Sequence, residues 1–291
     1  MRSTQGTLRA SRCGLAVRVA CALALGHGGS AAAQITFDVI GPHEYELPVD
    51  FDPFNVFVQY GMVQEDDRLF NRNGDRIDGS GAQRIVGMSK YVRFWSPESN
   101  RNIGVAWEVI VPEVAIRNRS LADADDRHVS GIGDPLTGFA IWYKPAANAT
   151  LGFQSFVQIP VGTEKVSDTN WKNLSSFFWD WRITDKLGWT GDAGIVWQTR
   201  RDNGIRPGLS WHTNHRFGWR ASQHLEPFLA VDAEYLEARD GAPSAHVIDA
   251  GPGLMIHTFA NQSISLRYST SVDGRNHSVN DSFNIKYAYV W

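Results

Sequence analysis

Asp281-Ser-Phe-Asn-Ile-Lys-Tyr-Ala-Tyr-Val-Trp291 is the stretch that decides the fold. Phe283, Ile285, Tyr287, Tyr289 and Trp291 fall on one face of a strand, and Asn284, Lys286, Ala288 and Val290 on the other. Period-two alternation marks a strand with two different surroundings. A soluble sandwich buries such an aromatic face against a second sheet. An outer-membrane barrel turns it to lipid, with aromatic residues at the interface.

Upstream, the same alternation recurs. Strands are predicted over Phe54 to Met62, Gln83 to Trp95, Ile103 to Val111, Leu136 to Tyr143, Leu151 to Val161, and a segment around Phe177 to Ile183. Further strands are predicted around Trp189 to Arg200, Ile205 to Phe217, His224 to Glu237, Ala245 to Phe259 and Ser263 to Ser271, before the terminal one. That makes about twelve strands, each long enough to cross a bilayer at a tilt. Polar tracts at Gln64–Gly81, Glu113–Gly131, Gly162–Asn173 and Val272–Asn280 are expected to be long loops. They alternate with short turns such as Asp185-Lys186 and Ala260-Asn261, and only the 201–204 connection breaks the rhythm. Long external loops facing tight periplasmic turns are an outer-membrane trait. Trp95, Trp142, Trp181, Trp189, Trp219 and Trp291 all fall near the short turns, where an interfacial girdle is expected. The expected fold class is therefore all-β, a transmembrane antiparallel barrel.

Residues 1–33 carry Arg2, Arg9, Arg12 and Arg18, an apolar stretch and Ala31-Ala32-Ala33, as a cleaved signal peptide does. Both cysteines, Cys13 and Cys21, fall within it, so the exported chain cannot rely on disulfides. Without the leader, 24 basic residues face 31 acidic ones, a formal charge of −7, which gives no reason to expect nucleic acid as a partner. Residues 34–52, interrupted by Pro42 and Pro48, read as an extension that stays periplasmic or plugs the lumen through Ile35, Phe37, Tyr45 and Leu47. Residues 53–291 form the barrel.

With the apolar faces on lipid, the opposite faces line the lumen. Parity assigns to it Arg93, Glu108, Gln154, Gln158, Asp180, Arg182, Asp192, Arg200, His212, Arg216, Glu226, Asp232, Glu234, Asp249, His257, Arg267 and Lys286. Buried charges need partners or water, so these residues either brace the wall or set selectivity. Ser210, His212 and Asn214, with Glu226 expected on the next strand, admit a rival reading as a lipid hydrolase. Neighbours two apart on a strand stand roughly 6–7 Å apart, which favours plain lumen lining. A third reading is a structural or surface-binding barrel that works through its long loops. Asn71 to Asp78 faintly resembles a calcium loop, but Arg76 stands where glycine is needed. Asp123, Asp125, Asp126 and His128 read as a charged loop, and no metal or cofactor is expected.

Gly131-Ile-Gly-Asp134, Gln158-Ile-Pro-Val-Gly162 and the alternating aromatics at the end together resemble the outer-membrane family named after the meta-cleavage (MetA) pathway of phenol degradation. The resemblance covers roughly Phe54 to Trp291. It implies a Gram-negative outer-membrane barrel that passes small hydrophobic or aromatic compounds. The implied partners are outer-membrane lipid, a small-molecule solute and the barrel-assembly machinery, whose signal the terminal strand resembles. No binding residue is carried over from the family.

Overall fold

The computed structural model describes residues 40–118, 128–259 and 261–291. Its strands are β1 (Phe54–Phe70), β2 (Arg76–Trp95), β3 (Ile103–Asn118), β4 (His128–Ile132), β5 (Leu136–Ala146), β6 (Ala149–Gln158) and β7 (Lys172–Arg182). They continue with β8 (Leu187–Gln198), β9 (Ser210–Trp219), β10 (Leu225–Leu236), β11 (Ala245–Phe259), β12 (Gln262–Arg275) and β13 (His277–Val290). Each long strand pairs antiparallel with its neighbour, and β1 pairs with β13, from Val56 opposite Val290 to Phe70 opposite His277. The result is a closed ring of twelve strands. β4 is a short thirteenth that pairs only with β3. Among the described residues, closure leaves none of the twelve long strands at an open edge of the ring, as membrane-spanning backbone requires.

The outward face is apolar. Phe139, Phe153, Phe177, Leu229, Phe283 and Ile285 all stand exposed on it, a belt that hydrocarbon accommodates and water does not. All five aromatic or apolar residues of the terminal strand's first face, Phe283, Ile285, Tyr287, Tyr289 and Trp291, lie on this side. Trp181, Trp219 and Trp291 are exposed at the tight-turn end, and Trp171, Trp197 and Trp211 are exposed towards the long-loop end. Trp142 is a correction to the expected girdle. It points inward and is almost wholly buried, in a space kept open because a side chain at Gly104 would collide with it.

Three other expectations change. The tracts Gln64–Gly81 and Val272–Asn280 are strand for most of their length, since β1 and β2 turn only at 71–75 and β12 and β13 are separated by Asn276 alone. Cross-strand polar pairs replace apolar alternation there: Arg84–Asp66 at 2.8 Å, Arg68–Asp281 at 2.5 Å, and Thr270 donating to Asp281 at 2.5 Å. β9 begins at Ser210, so the connection from β8 spans Thr199 to Leu209, and the break in the loop rhythm disappears. In β1 the alternation of Val58, Tyr60 and Met62 with Gln59 and Gly61 puts the apolar set towards lipid by parity, but Val58, Tyr60 and Met62 point inward and are buried, while Phe57 and Val63 are exposed outside. The closing register forces this, because Tyr60 lies opposite the inward Lys286 and Val58 opposite Ala288.

Candidate functional site in the barrel lumen

The lumen has two unlike halves. Along β1 to β5 the inward side chains are largely apolar, and Val58, Tyr60, Met62, Met88 and Ile110 form one buried cluster with Phe156, Leu174 and Val196, which stand among polar inward neighbours on β6 to β8. A second cluster, Val92, Phe94, Ala106, Ala140, Trp142 and Phe178, continues it towards the tight turns, with Val56 packed against both. Sequence parity missed this half because both faces of these strands are apolar.

From β8 to β12 the inward face is charged and internally paired. Arg216 is buried and donates to Asp232 at 2.6 Å, and Arg267 donates to the other oxygen of the same carboxylate at 2.8 Å. Asn214 donates to Asp192 at 2.7 Å, and Ser271 to Asp249 at 2.6 Å. Opposite-charge pairing of this kind is what makes buried charge tolerable. On the apolar side, the inward charges Lys90 and Glu108 pair at 2.7 Å.

Residues 40–53 run inside the ring at the tight-turn end. Ile40 O accepts from Arg216 Nε at 2.8 Å, the backbone N–H of His43 donates to Thr190 at 2.9 Å, and the Trp142 indole donates to Pro48 O at 2.7 Å. Tyr45 stacks on Phe178 with ring centroids 4.4 Å apart. Glu44 pairs with Lys286, and Glu46 with Arg182. His43 sits among three carboxylates: Nε2 is 2.7 Å from Glu226, and Nδ1 is 3.3 Å from Glu46 and 3.7 Å from Asp180. Burial pulls its pKa down, but hydrogen bonds and charge from Asp180 and Glu226 outweigh that and raise it to about 9. His43, Glu46 and Asp180 also have the spacing of metal ligands. Arg182 and Arg220 beside Glu46, together with the imidazolium, already supply the positive charge that a cation would bring. Ile35, Phe37, the leader residues and Asp123, Asp125 and Asp126 lie outside the described residues.

Two cavities of about 30 and 50 Å³ adjoin the inner end of this segment, and Ile40, Tyr60 and Met88 border both. Each has room for a few waters.

Most of the residues that parity assigns to the lumen point inward. Gln154, Gln158, Asp180 and Arg182 do so, as do His212, Glu234 and His257, the last 3.5 Å from Glu226. Two lie elsewhere. Arg93 shares the outward side of β2 with Tyr91 and Trp95, and both Arg93 and Tyr91 donate to Asn55. Arg200 lies past the end of β8, exposed in the loop, and donates to the carbonyl of Gly204. The hydrolase grouping is not assembled. Ser210 donates to Glu234 at 2.6 Å, and Glu226 sits at the opposite end of β10, against His43. Asn71 accepts from the backbone of Asn73 and Asp75, closing an ordinary hairpin turn.

A family model described as "Putative MetA-pathway of phenol degradation" matches residues 66–287. The chain belongs to this family. Among solved structures, an outer-membrane channel from Pseudomonas putida F1 superposes with a TM-score of 0.74 at 14% identity, covering 87% of this chain and 100% of that one. The CymD monoaromatic hydrocarbon channel superposes at 0.51 with 9% identity, covering 88% and 94%. At such identities the likeness speaks for the fold. Comparison with curated proteins gave no match.

The two motifs that carry the MetA-family resemblance meet in space. Asp134, buried at the start of β5, accepts from the backbone N–H groups of Gly162 at 2.9 Å and Asp168 at 2.8 Å, and from the Ser167 hydroxyl at 2.8 Å. A side chain at Gly131 would strike Thr163, and one at Gly162 would press on Gly133 and Asp134. The glycines therefore let the 159–171 loop lie down on the β4–β5 turn. That places Val166 in the apolar cluster, at the long-loop end of the lumen.

Proposed function

We propose that the protein is a passive channel of the Gram-negative outer membrane for small hydrophobic compounds, aromatic ones included, with residues 40–53 as a removable stopper. The observation that carries this is the apolar wall. It runs from Val166 under the external loop to Tyr45 and Phe178 at the stopper as two clusters that Val56 joins, with the paired Lys90 and Glu108 set into it. A general aqueous pore has no use for it, since water and ions gain nothing from apolar lining. A solute that loses water on entry gains in proportion to the apolar area it covers. Shared fold with a monoaromatic hydrocarbon channel supports the reading.

Under this proposal residues 1–33 direct export and are removed, the outward belt meets lipid, and Phe283 to Trp291 present the assembly signal to the barrel-assembly machinery. Ser210 and His212 belong to the wall, without a catalytic task. The test is uptake of toluene into proteoliposomes by the mature protein and by a variant lacking residues 34–52. Uptake should exceed that of empty vesicles and rise several-fold in the deletion variant. Equal uptake in all three would sink the proposal.

A further inference from the structure

We propose that the lumen contains a binding site for a small aromatic carboxylate, with the guanidinium of Arg267 as the group that takes the acid. This rests on the passage reading above and narrows its solute class.

Arg267 lies on β12, is 5% exposed, and borders the smaller cavity. Its Nη1 is committed to Asp232 at 2.8 Å. Its Nε and Nη2 have no hydrogen-bond partner, and neither has Oδ1 of Asn284, which lies directly opposite on β13 and borders the same cavity. Nε and Nη2 form the flat side edge of the guanidinium, whose two parallel N–H bonds match the two oxygens of a carboxylate. Leaving such donors buried and unmet is costly, and a carboxylate removes the cost.

The rest of the cavity wall suits a ring. Tyr60, Met62, Met88 and Phe228 line it, and aromatic and thioether side chains favour aromatic contacts. Neither cavity alone accommodates a ring, but Ile40 stands between them. Displacing the segment that carries Ile40 joins the two spaces. The carboxylate then sits at the fork and the ring on the apolar wall. A neutral hydrocarbon fills the same space but leaves the fork unmet, so the site prefers the acid.

The experiment is calorimetric titration of the folded, full-length mature protein in detergent with benzoate, benzamide and toluene. It is repeated for Arg267→Met and Arg267→Lys, with folding checked by the heat-dependent gel shift. Benzoate should bind at least tenfold more tightly than benzamide. Both variants should lose that preference, the lysine variant included, because it keeps the charge but not the fork. Asp232 retains Arg216 in each variant. Equal affinity for benzoate and benzamide, no benzoate binding, or an unchanged preference in a folded Arg267→Met protein overturns the inference. Toluene uptake into proteoliposomes separates the two levels. Uptake without benzoate preference rejects the carboxylate site alone, whereas no uptake even by the 34–52 deletion rejects the passage reading beneath it.

Discussion

The indole nitrogen of Trp142 donates to the carbonyl oxygen of Pro48 at 2.7 Å, tying the wall of the barrel to the segment inside it. Trp142→Phe keeps a ring in the pocket and removes one hydrogen bond, worth about 1 kcal/mol. The segment should leave its seat more often. In planar bilayers this would appear as more frequent conductance steps than in the wild type, at unchanged step size. Identical traces would show that this bond does not hold the segment.

His43 makes the seat sensitive to pH. Its pKa rises from 6.5 to about 9 when the segment is docked, corresponding to roughly 3 kcal/mol in favour of the docked state. Because the docked value is the higher one, that contribution is complete below about pH 6.5, declines as pH rises, and is gone above about pH 9. Channel activity should therefore grow between those limits. His43→Gln should be active at low pH and respond little to alkali. A wild-type profile that falls with rising pH would contradict this.

Asp232 pairs with two buried arginines, Arg216 and Arg267. Asp232→Asn leaves both without a carboxylate partner at that position, and breaking a buried pair costs on the order of 3–5 kcal/mol. The variant should unfold at lower temperature, read from the gel shift of the folded barrel. The double variant Asp232→Asn/Arg267→Met should recover part of the loss.

Asp134 holds the 159–171 loop through three short hydrogen bonds and leaves the barrel ladder to itself. Asp134→Ala should fold normally but lose protection in that loop. Limited proteolysis followed by mass spectrometry should find cleavage between Val161 and Trp171 at least tenfold faster than in the wild type. Unchanged protection would assign the loop's order to other contacts.

The ring itself was legible in the sequence wherever the two faces of a strand differ. β11 runs from Ala245 to Phe259 as the alternation predicts, and the faces of β7 around Asp180 and of β9 around His212 are as expected. Legibility failed where both faces are apolar. In β1 Tyr60 and Phe57 have equal claims on lipid, and only the pairing with Lys286 and Tyr289 across the closing seam decides between them. It failed again where both faces are wet, since hairpins beyond the belt are held by pairs such as Arg68 with Asp281 and show no alternation. Most of the lumen charges were visible as inward positions, but their partners were not. His43, Glu44 and Glu46 find theirs on β7, β10 and β13, and no local pattern encodes contacts over such distances. Arg93 was misplaced because its apolar neighbours Val92 and Phe94 face the lumen instead of lipid.

Glu44 and Lys286 stand 242 positions apart in the chain and meet inside the ring. Their meeting sets an order of events. The cradle for residues 40–53 is built from β5 to β10 and β13, so it is complete only when the final strand has joined the ring. Contacts that span nearly the whole chain form slowly. On the stopper reading proposed above, the stretch that precedes every strand is thus the last to find its place, and the finished cylinder stands open until it does. If residues 40–53 are the stopper proposed above, seating of His43 and Glu44 is the step that closes a newly made barrel.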